Sequence, residues 1–227
     1  RFDQLYMPSP QATAMLNNSP RDNDIAQLKR EVRARIIAQR DALAPALRSR
    51  KSHAICADLV DAAKQALPTR MSRQPIVAVY SPMGSEVDLG EFIAVLYDMQ
   101  ARVVFPAMLP DLQNGQRMQM RIVSYKDYLD GSAPFIAHPV RPFSPVGNAE
   151  NGRYPAVAPH ELDAIVVPLV GFDATGMRLG YGGGCYDRYL PKLQPRCFVV
   201  GVAFSGQQVP RVPVDAFDLP LPRIISA

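Results

Sequence analysis

The clearest local signal in the chain lies at residues 167–190, which read VPLVGFDATGMRLGYGGGCYDRYL. The apolar residues 164–169 predict a buried strand, and a helix is predicted from Tyr186 onward. Between Arg178 and that helix stand four glycines, Gly180, Gly182, Gly183 and Gly184. Glycine adopts positive φ and has no Cβ, so successive N–H groups can converge on an anion, and a helix start adds partial positive charge. The order of strand, glycine loop and helix therefore predicts a turn shaped to hold phosphate.

Charged side chains flank this loop, and they narrow its chemistry without identifying a ligand. Arg178 and Arg188 supply cations for phosphate, and Asp187 supplies a carboxylate for a hydrated Mg²⁺. The loop is not a Walker loop, because no Gly-Lys-Ser/Thr follows, and about ten residues separate it from the preceding strand, unlike a dinucleotide fingerprint. Glycine-rich turns also occur at strand-to-helix junctions that bind nothing, so from the loop alone this alternative stays open.

Outside the loop, the period of the apolar residues changes along the chain. Helical spacing occurs at residues 24–37, 48–67 and 89–100, and short runs typical of strands occur at residues 76–80, 103–105, 118–123, 164–169 and 197–203 and near Ile224. This order predicts an α/β fold of three α/β/α layers, with a mainly parallel open sheet, helices on both faces and an N-terminal helical segment. The proline-rich residues 131–159 are predicted to form a long structured loop that borders the active site.

Length and composition predict one globular domain. We expect residues 21–227 to form a single domain and residues 1–20, which lack periodicity, to be a flexible N-terminal extension. Of the 227 residues, 48% are apolar and 20% are charged, which is ordinary usage for a globular enzyme. No apolar run is long enough to span a bilayer, and the N-terminus lacks the apolar core of a signal peptide, so we expect no membrane partner.

The cysteines indicate the compartment of the protein, and the net charge indicates which classes of partner it binds. Cys56, Cys185 and Cys197 are odd in number and widely spaced, which favours reduced thiols in the cytoplasm over a disulfide or zinc framework. The formal net charge is +4, but the positive side chains are scattered over predicted helix faces and no nucleic-acid motif occurs. We therefore expect no nucleic-acid partner, and a monomer or a weak homo-oligomer.

Three segments resemble one known family. Residues 167–190 closely resemble the signature of the 5-formyltetrahydrofolate cyclo-ligase family, also called methenyltetrahydrofolate synthetases. Residues 29–33, KREVR, resemble the Lys-x-x-x-Arg that begins the first helix of that family. Residues 212–225, VPVDAFDLPLPRII, resemble its terminal segment, with Asp218 at the position of a single well-placed aspartate. The resemblance covers about residues 24–227 and is strongest toward the C-terminus.

The resemblance implies an activity and its co-substrates. Members convert 5-formyltetrahydrofolate to 5,10-methenyltetrahydrofolate with ATP and Mg²⁺, releasing ADP and phosphate through a phosphorylated formyl group, an iminium phosphate. Such chemistry needs positioning and charge neutralisation more than an acid–base triad, which agrees with the absence of any triad pattern.

The same resemblance assigns roles to individual residues. It implies a nucleotide site formed by Lys29, Arg30, Arg33, Arg178, Leu179, Gly180, Tyr181, Gly182, Gly183, Gly184, Cys185 and Tyr186. It implies a folate site formed by Ser81, Met83, Glu86, Met118, Tyr181, Gly182, Gly183, Gly184 and Cys185. It implies Mg²⁺ ligands at Asp187 and Asp218, and catalytic roles for Lys29, Arg178 and Asp187.

Structural alternatives exist for several of these residues. A helical Lys29 or Arg33 usually faces water, and Glu86 could merely sit beside Asp88 at the start of the next helix. Met118 and Met120 fit one face of a strand as well as a pterin pocket. Cys185 departs from the family, whose members usually carry an aromatic residue there, so a stacking role at that position is in doubt.

Two rival functions also stay open. One is a phosphate-binding enzyme of similar architecture that acts on a sugar phosphate or an acyl-CoA without ATP. The other is a non-catalytic nucleotide-binding module, which predicts salt-dependent binding without a product.

Overall fold

A computed structural model describes residues 20–67, 73–113, 115–144 and 152–227 of the chain. The predicted flexible extension therefore lies, up to residue 19, outside the described residues. The helices are α1 Pro20–Asp41, α2 Pro45–Ala66, α3 Gly90–Asp98, α4 Tyr125–Leu129, α5 Pro134–Ala137 and α6 Cys185–Tyr189. The strands are β1 Ile76–Ala78, β2 Arg102–Asp111, β3 Gly115–Ile122, β4 Ala156–Val157, β5 Ala164–Pro168, β6 Gly171–Phe172, β7 Arg178–Leu179, β8 Phe198–Ala203 and β9 Ile224–Ser226.

Seven of these strands form one sheet, in the order β4-β3-β2-β1-β5-β8-β9. The pairs β2–β1, β1–β5, β5–β8 and β8–β9 are parallel, while β2–β3 and β3–β4 are antiparallel. A very short connection joins β2 to β3, and a parallel pair needs a crossover of a dozen residues or more, so this edge is a hairpin. The prediction of a mainly parallel open sheet is confirmed, with an antiparallel edge that the sequence analysis did not foresee.

Helices cover both faces of the sheet, as predicted. On one face α2 and α3 bury residues such as Ile55 and Phe92 in a core with Val166 of β5. On the other face α6 and the 3₁₀ turn Leu190–Lys192 pack on Ile165. Alternate residues of β5 thus enter different cores, which is why this central strand is apolar throughout. No helix among the described residues is long and apolar enough to cross a membrane.

The first helix packs on a small ribbon rather than on the main sheet. Ile36 of α1 lies in a third apolar cluster with Val170 and Leu179. Val170 directly precedes β6, and Leu179 belongs to β7, the partner of β6 in a two-stranded ribbon. This confirms the predicted N-terminal helical segment and places it beside the glycine loop, because that loop follows β7 directly.

One carboxylate organises the turn of the ribbon. Asp173 is buried and accepts hydrogen bonds from the Thr175 N–H and hydroxyl, at 2.9 and 2.6 Å, and from the Val212 N–H at 2.9 Å. A further bond comes from the Met177 N–H at 3.3 Å. Asp173 therefore helps to tie the turn that aims the glycine loop to the C-terminal segment, together with the Leu221 N–H, which donates to the Gly176 carbonyl at 2.8 Å.

Candidate active site

A cavity of about 1200 Å³ opens at the carboxyl ends of the parallel strands, between α1, the β2–β3 hairpin, the glycine loop and the C-terminal segment. Its volume exceeds the roughly 300–1,000 Å³ that one small ligand usually occupies, so it has room for two. Every residue to which the family resemblance assigned a role lines it. They are Lys29, Arg30, Arg33, Ser81, Met83, Glu86, Met118, Arg178, Leu179, Gly180, Tyr181, Gly182, Gly183, Gly184, Cys185, Tyr186, Asp187 and Asp218.

The glycine loop takes a backbone path that side chains would obstruct. Gly182 has φ +103° and Gly184 has φ +61°, values that L residues rarely adopt. A Cβ on Gly182 would lie 3.4 Å from Arg33 Nη2, and one on Gly184 would lie 2.7 Å from Arg188 Nη1. The glycines therefore let two guanidinium groups approach the loop closely. Arg33 Nε donates to the Gly180 carbonyl at 2.7 Å, and Arg188 Nη2 donates to the Gly183 carbonyl at 2.8 Å.

Two cations of the cavity are held by its own carboxylates. Lys29 Nζ donates to Asp215 at 2.7 Å and to Asp218 at a very short distance. Burial lowers the pKa of Lys29, but the bonds to both aspartates outweigh it, so the pKa is raised and the ammonium stays charged. Arg178 is buried and donates to Asp187 at 2.6 Å and to the Leu219 carbonyl at 2.5 Å. Two of the cavity's cations are thus paired with carboxylates, whereas Arg33 and Arg188 donate to carbonyls of the glycine loop.

The carboxylates suit a metal that arrives with its ligand. Asp187 and Asp218 line the same cavity, yet no group of three metal-ligating side chains occurs among the described residues. Mg²⁺ is commonly held by one or two carboxylates together with phosphate oxygens and water, whereas a protein-only cage needs more ligands. The donor set therefore fits Mg²⁺ that arrives with phosphate oxygens, and Asp187 and Asp218 are the carboxylates that could hold it.

Glu86 is the carboxylate with an unused oxygen. Its side chain is buried, with 6% of the residue exposed, and Oε2 accepts from the Met83 N–H at 2.7 Å. Oε1 has no hydrogen-bond partner among the described residues. Burial raises the pKa of Glu86, opposed by the Met83 N–H, by the charge of Arg40 and by the nearby Tyr181 hydroxyl. A buried acceptor without a donor is costly, so the residue is prepared for a ligand N–H.

The structure does not favour the alternative that Glu86 merely sits beside Asp88 at the start of α3. Asp88, two residues on, accepts from the Gly90 N–H at 2.8 Å where α3 begins, and so serves the helix start by itself. Ser81 donates to the Ile136 carbonyl at 2.8 Å, which leaves its oxygen as an acceptor on the cavity wall. The predicted loop at residues 131–159 contributes Pro139 and Val140 to that wall, and it contains α5 and β4; its residues 145–151 lie outside the described part.

Of the two methionines of β3, Met118 lines the cavity and Met120 does not. Met118 pairs with Met108 across the hairpin, and both line the cavity. Met120 is fully buried in the core on the sheet's second face and is not part of the cavity wall, so for this residue the alternative of a strand face holds.

Cys185 does not have the surroundings of a nucleophile. Burial raises the pKa of its thiol, and the Sγ contact that the structure gives is to the Gly183 carbonyl at 3.8 Å. Nucleophilic cysteines have a lowered pKa and a base nearby. A small side chain inside a tight loop accounts for this residue.

Sequence reasoning missed three residues of the site. Asp215 shares Lys29 with Asp218, and Phe217, between them, is 82% exposed at the cavity. Arg40 lies behind the wall and donates to Tyr181. Helical spacing held a usable signal for Arg40, since it follows Lys29 by eleven residues and so shares its face of α1.

Fold and cavity together define a class: α/β proteins that bind ligands where parallel strands end, here with a glycine loop and paired charges. The chain belongs to the 5-formyltetrahydrofolate cyclo-ligase family, whose sequence model matches residues 25–227.

Individual relatives agree with this membership. The 5-formyltetrahydrofolate cyclo-ligase of Haemophilus influenzae is 32% identical over 147 residues, 64% of this chain and 72% of that protein. The one from Escherichia coli K12 is 46% identical over 70 residues, 29% of this chain and 36% of that protein. The solved 5,10-methenyltetrahydrofolate synthetase from Mycoplasma pneumoniae has a TM-score of 0.62 at 25% identity, covering 87% of this chain and 97% of its own. That from Aquifex aeolicus has a TM-score of 0.60 at 26% identity, covering 88% and 89%.

Proposed function

We propose that this protein converts 5-formyltetrahydrofolate to 5,10-methenyltetrahydrofolate with ATP and Mg²⁺, releasing ADP and inorganic phosphate. Family membership supports the folate substrate and the ring closure. One observation carries the rest: a buried carboxylate with a free oxygen, Glu86, lines the same cavity as the glycine loop and its cations. Because the cavity has room for two ligands, a heterocycle and a triphosphate can lie side by side in it.

The chemistry explains why a nucleotide is needed. The formyl group on N5 is amide-like, so it is a poor electrophile, and its oxygen is a poor leaving group. In the proposed reaction the formyl oxygen attacks the γ-phosphorus and ADP leaves. The lone pair of N10 then attacks the resulting iminium phosphate, the C–O bond breaks, and inorganic phosphate departs with its oxygen. N10 loses its proton, which leaves the 5,10-methenyl cation.

The chain's own residues bind, orient and neutralise in this scheme. Lys29, Arg33 and Arg178 supply positive charge for the phosphates, and the loop N–H groups add to it. Glu86 Oε1 accepts from the N–H edge of the pterin, which fixes the ring and therefore N5 and N10. Bound Mg²⁺, held by Asp187 and Asp218, would neutralise charge on the phosphate oxygens.

Nucleotide binding on this account exchanges partners within the cavity. Lys29 gives up its aspartates for phosphate oxygens, and the freed carboxylate of Asp218 becomes available to the metal. Arg178 and Asp187 separate in the same way. Lys29, Arg178, Asp187 and Asp218 each keep an opposite charge nearby before and after binding, which offsets part of the desolvation cost.

The test is incubation of the purified protein with 5-formyltetrahydrofolate and Mg-ATP. We expect the methenyl absorbance to rise in a one-to-one ratio with phosphate release, and no product when ATP is omitted. Turnover of a sugar phosphate or acyl-CoA without ATP, or nucleotide binding without a product, would support the rival functions instead. A cytoplasmic location stays a prediction from the three free cysteines.

A further inference from the structure

One face of α1 contacts three separate walls of the cavity. Lys29 reaches the C-terminal segment, Arg33 reaches the glycine loop at Gly180, and Arg40 reaches Tyr181. The spacings of four and seven residues bring these three side chains onto one stripe of the helix. The family resemblance assigned roles to the first two, whereas nothing assigned one to Arg40.

Arg40 is buried, and one of its guanidinium nitrogens has no hydrogen-bond partner among the described residues. It is only 4% exposed, and it does not itself line the cavity. Nε donates to Ser85 Oγ at 2.9 Å, and Nη2 donates to Tyr181 Oη at 2.7 Å. Nη1 is buried without a hydrogen-bond partner among the described residues. A buried guanidinium with an unused donor is destabilising in itself, so packing alone does not explain it.

Tyr181 needs such an anchor. It stands between Gly180 and Gly182, where the backbone restrains a side chain least. The residue is 42% exposed and lines the cavity, while its hydroxyl accepts a hydrogen bond from Arg40 at 2.7 Å. The bond therefore keeps the ring in one orientation in the absence of a ligand.

The second bond of Arg40 ties this ring to the segment that carries Glu86. Ser85, which accepts from Arg40, precedes Glu86 directly, and its hydroxyl donates to Asp41 at the end of α1. The planar guanidinium thus joins the glycine loop to the segment before Glu86 with a fixed geometry, which an ammonium on a flexible stem does not reproduce.

We infer that Arg40 is a positioning residue: it fixes the Tyr181 ring as a flat wall of the folate side of the cavity and joins it to the segment that carries Glu86. This inference rests on the proposed function, since the ligand that the wall orients is 5-formyltetrahydrofolate. Arg40 acts through Tyr181 and Glu86 and touches no reacting atom.

The test compares Arg40→Gln with Arg35→Gln, which removes an exposed guanidinium from the same helix. Each substrate is varied at saturating levels of the other. For Arg40→Gln we expect KM for 5-formyltetrahydrofolate to rise about tenfold, with kcat and the KM for Mg-ATP changed less than about twofold. Arg35→Gln should match the wild type. Arg40→Lys keeps the charge without the fork, so it should recover only part of the loss.

A double-mutant cycle isolates the hydrogen bond. Tyr181→Phe removes the acceptor, and if both residues act through that bond, Arg40→Gln combined with Tyr181→Phe should be no worse than the more affected single variant. Should Arg40→Gln fail to fold, Tyr181→Phe alone tests the same bond, again by a raised KM for the folate substrate.

Three results would overturn the inference: an unchanged KM for 5-formyltetrahydrofolate in folded Arg40→Gln, a fully active Arg40→Lys, or additive effects in the cycle. A lower Tm with an unchanged KM would show a role in stability alone. Failure of the wild type to form product is a different outcome, because it contradicts the proposed function before any variant is made.

Discussion

Glu86 carries a carboxylate whose two oxygens have different surroundings. Oε2 is satisfied by the Met83 N–H, while Oε1 has no hydrogen-bond partner among the described residues. Four other ionisable side chains influence this carboxylate or feel its charge: Arg40 of α1, Tyr80 after β1, Tyr181 of the glycine loop and Tyr186 of α6. Of these only Arg40 is cationic, so it favours the ionised form that accepts from a ligand.

Replacement of Glu86 should separate the two substrates. In Glu86→Ala we expect the KM for 5-formyltetrahydrofolate to rise at least about tenfold, because a charge-assisted bond to the ligand is lost. The KM for Mg-ATP should change by less than about twofold, since the cations of the phosphate side are untouched. Steady-state kinetics of both substrates measure this. Glu91→Ala, which removes an exposed carboxylate of α3, is the matched control, and an equal loss for both substrates would contradict the assignment.

At the scale of elements, the β6–β7 turn depends on Asp173. Burial raises the pKa of this carboxyl, but hydrogen bonds from Thr175, Val212 and Met177 outweigh it, so the pKa lies below its ordinary value. An amide in its place would turn an NH₂ group toward N–H donors. The turn therefore requires a carboxylate and not merely a polar side chain.

Asp173→Asn should lower the free energy of unfolding by about 2–3 kcal/mol at neutral pH, measured by urea denaturation. The folded pKa lies below the unfolded one, so the carboxylate's contribution is complete above the unfolded pKa and is lost as the pH falls through the folded value. The difference from wild type should thus be constant near neutrality and shrink below about pH 4. Asp58→Asn, at an exposed position of α2, should show little effect. A difference that grows on acidification would refute this account.

The glycine loop can be tested as an element in the same way. Gly182→Ala places a methyl group at φ +103°, a conformation that alanine rarely adopts, and in contact with Arg33 Nη2 at 3.4 Å, so the backbone of the loop must shift. We expect the KM for Mg-ATP to rise about tenfold or more. The Tm should change little, because the loop is exposed. Gly206→Ala, where an added Cβ meets nothing within 4 Å, is the control. Unchanged nucleotide affinity would remove the loop from the phosphate site.

On the scale of the whole molecule, hydrogen bonds between distant parts of the chain join the walls of the cavity. Lys29 and Asp218 are 189 residues apart, and Arg33 and Gly180 are 147 apart. These contacts exist because α1 packs on the β6–β7 ribbon through Ile36 and Leu179. The apolar contact sets the distance, and the charged side chains beside it then meet.

Removal of Mg²⁺ should test whether Asp187 and Asp218 leave their cationic partners to bind the metal. We expect Mg-ATP to raise the Tm of the wild type more than ATP with a chelator does, since ligand that binds only the folded state stabilises it. In Asp187→Asn and Asp218→Asn this metal-dependent increment should shrink, and Asp187→Asn should lose most turnover. Thermal scans with and without chelator measure the increment for each protein, so a general change in stability cancels. The full increment in both variants would exclude these carboxylates as ligands.

Much of the fold and of the site was predictable from local pattern. The apolar run at residues 164–169 gave a central strand, and the glycines gave the loop, because burial on both faces and positive φ each restrict the residue types allowed. The hairpin edge was not predicted, since β3 has no pattern that distinguishes antiparallel from parallel pairing. Arg40 was missed because a charge on a helix face usually points to water.

The sequence by itself determined the α/β class, the family and the residue types of the cavity, because these depend on short-range backbone preferences and on a long local signature. Only the tertiary structure decided which charges pair, that Oε1 of Glu86 is left free, and that Arg40 holds Tyr181. Such pairings depend on how α1 docks on the ribbon, and docking is set by the shape of several buried side chains together, which no local pattern encodes.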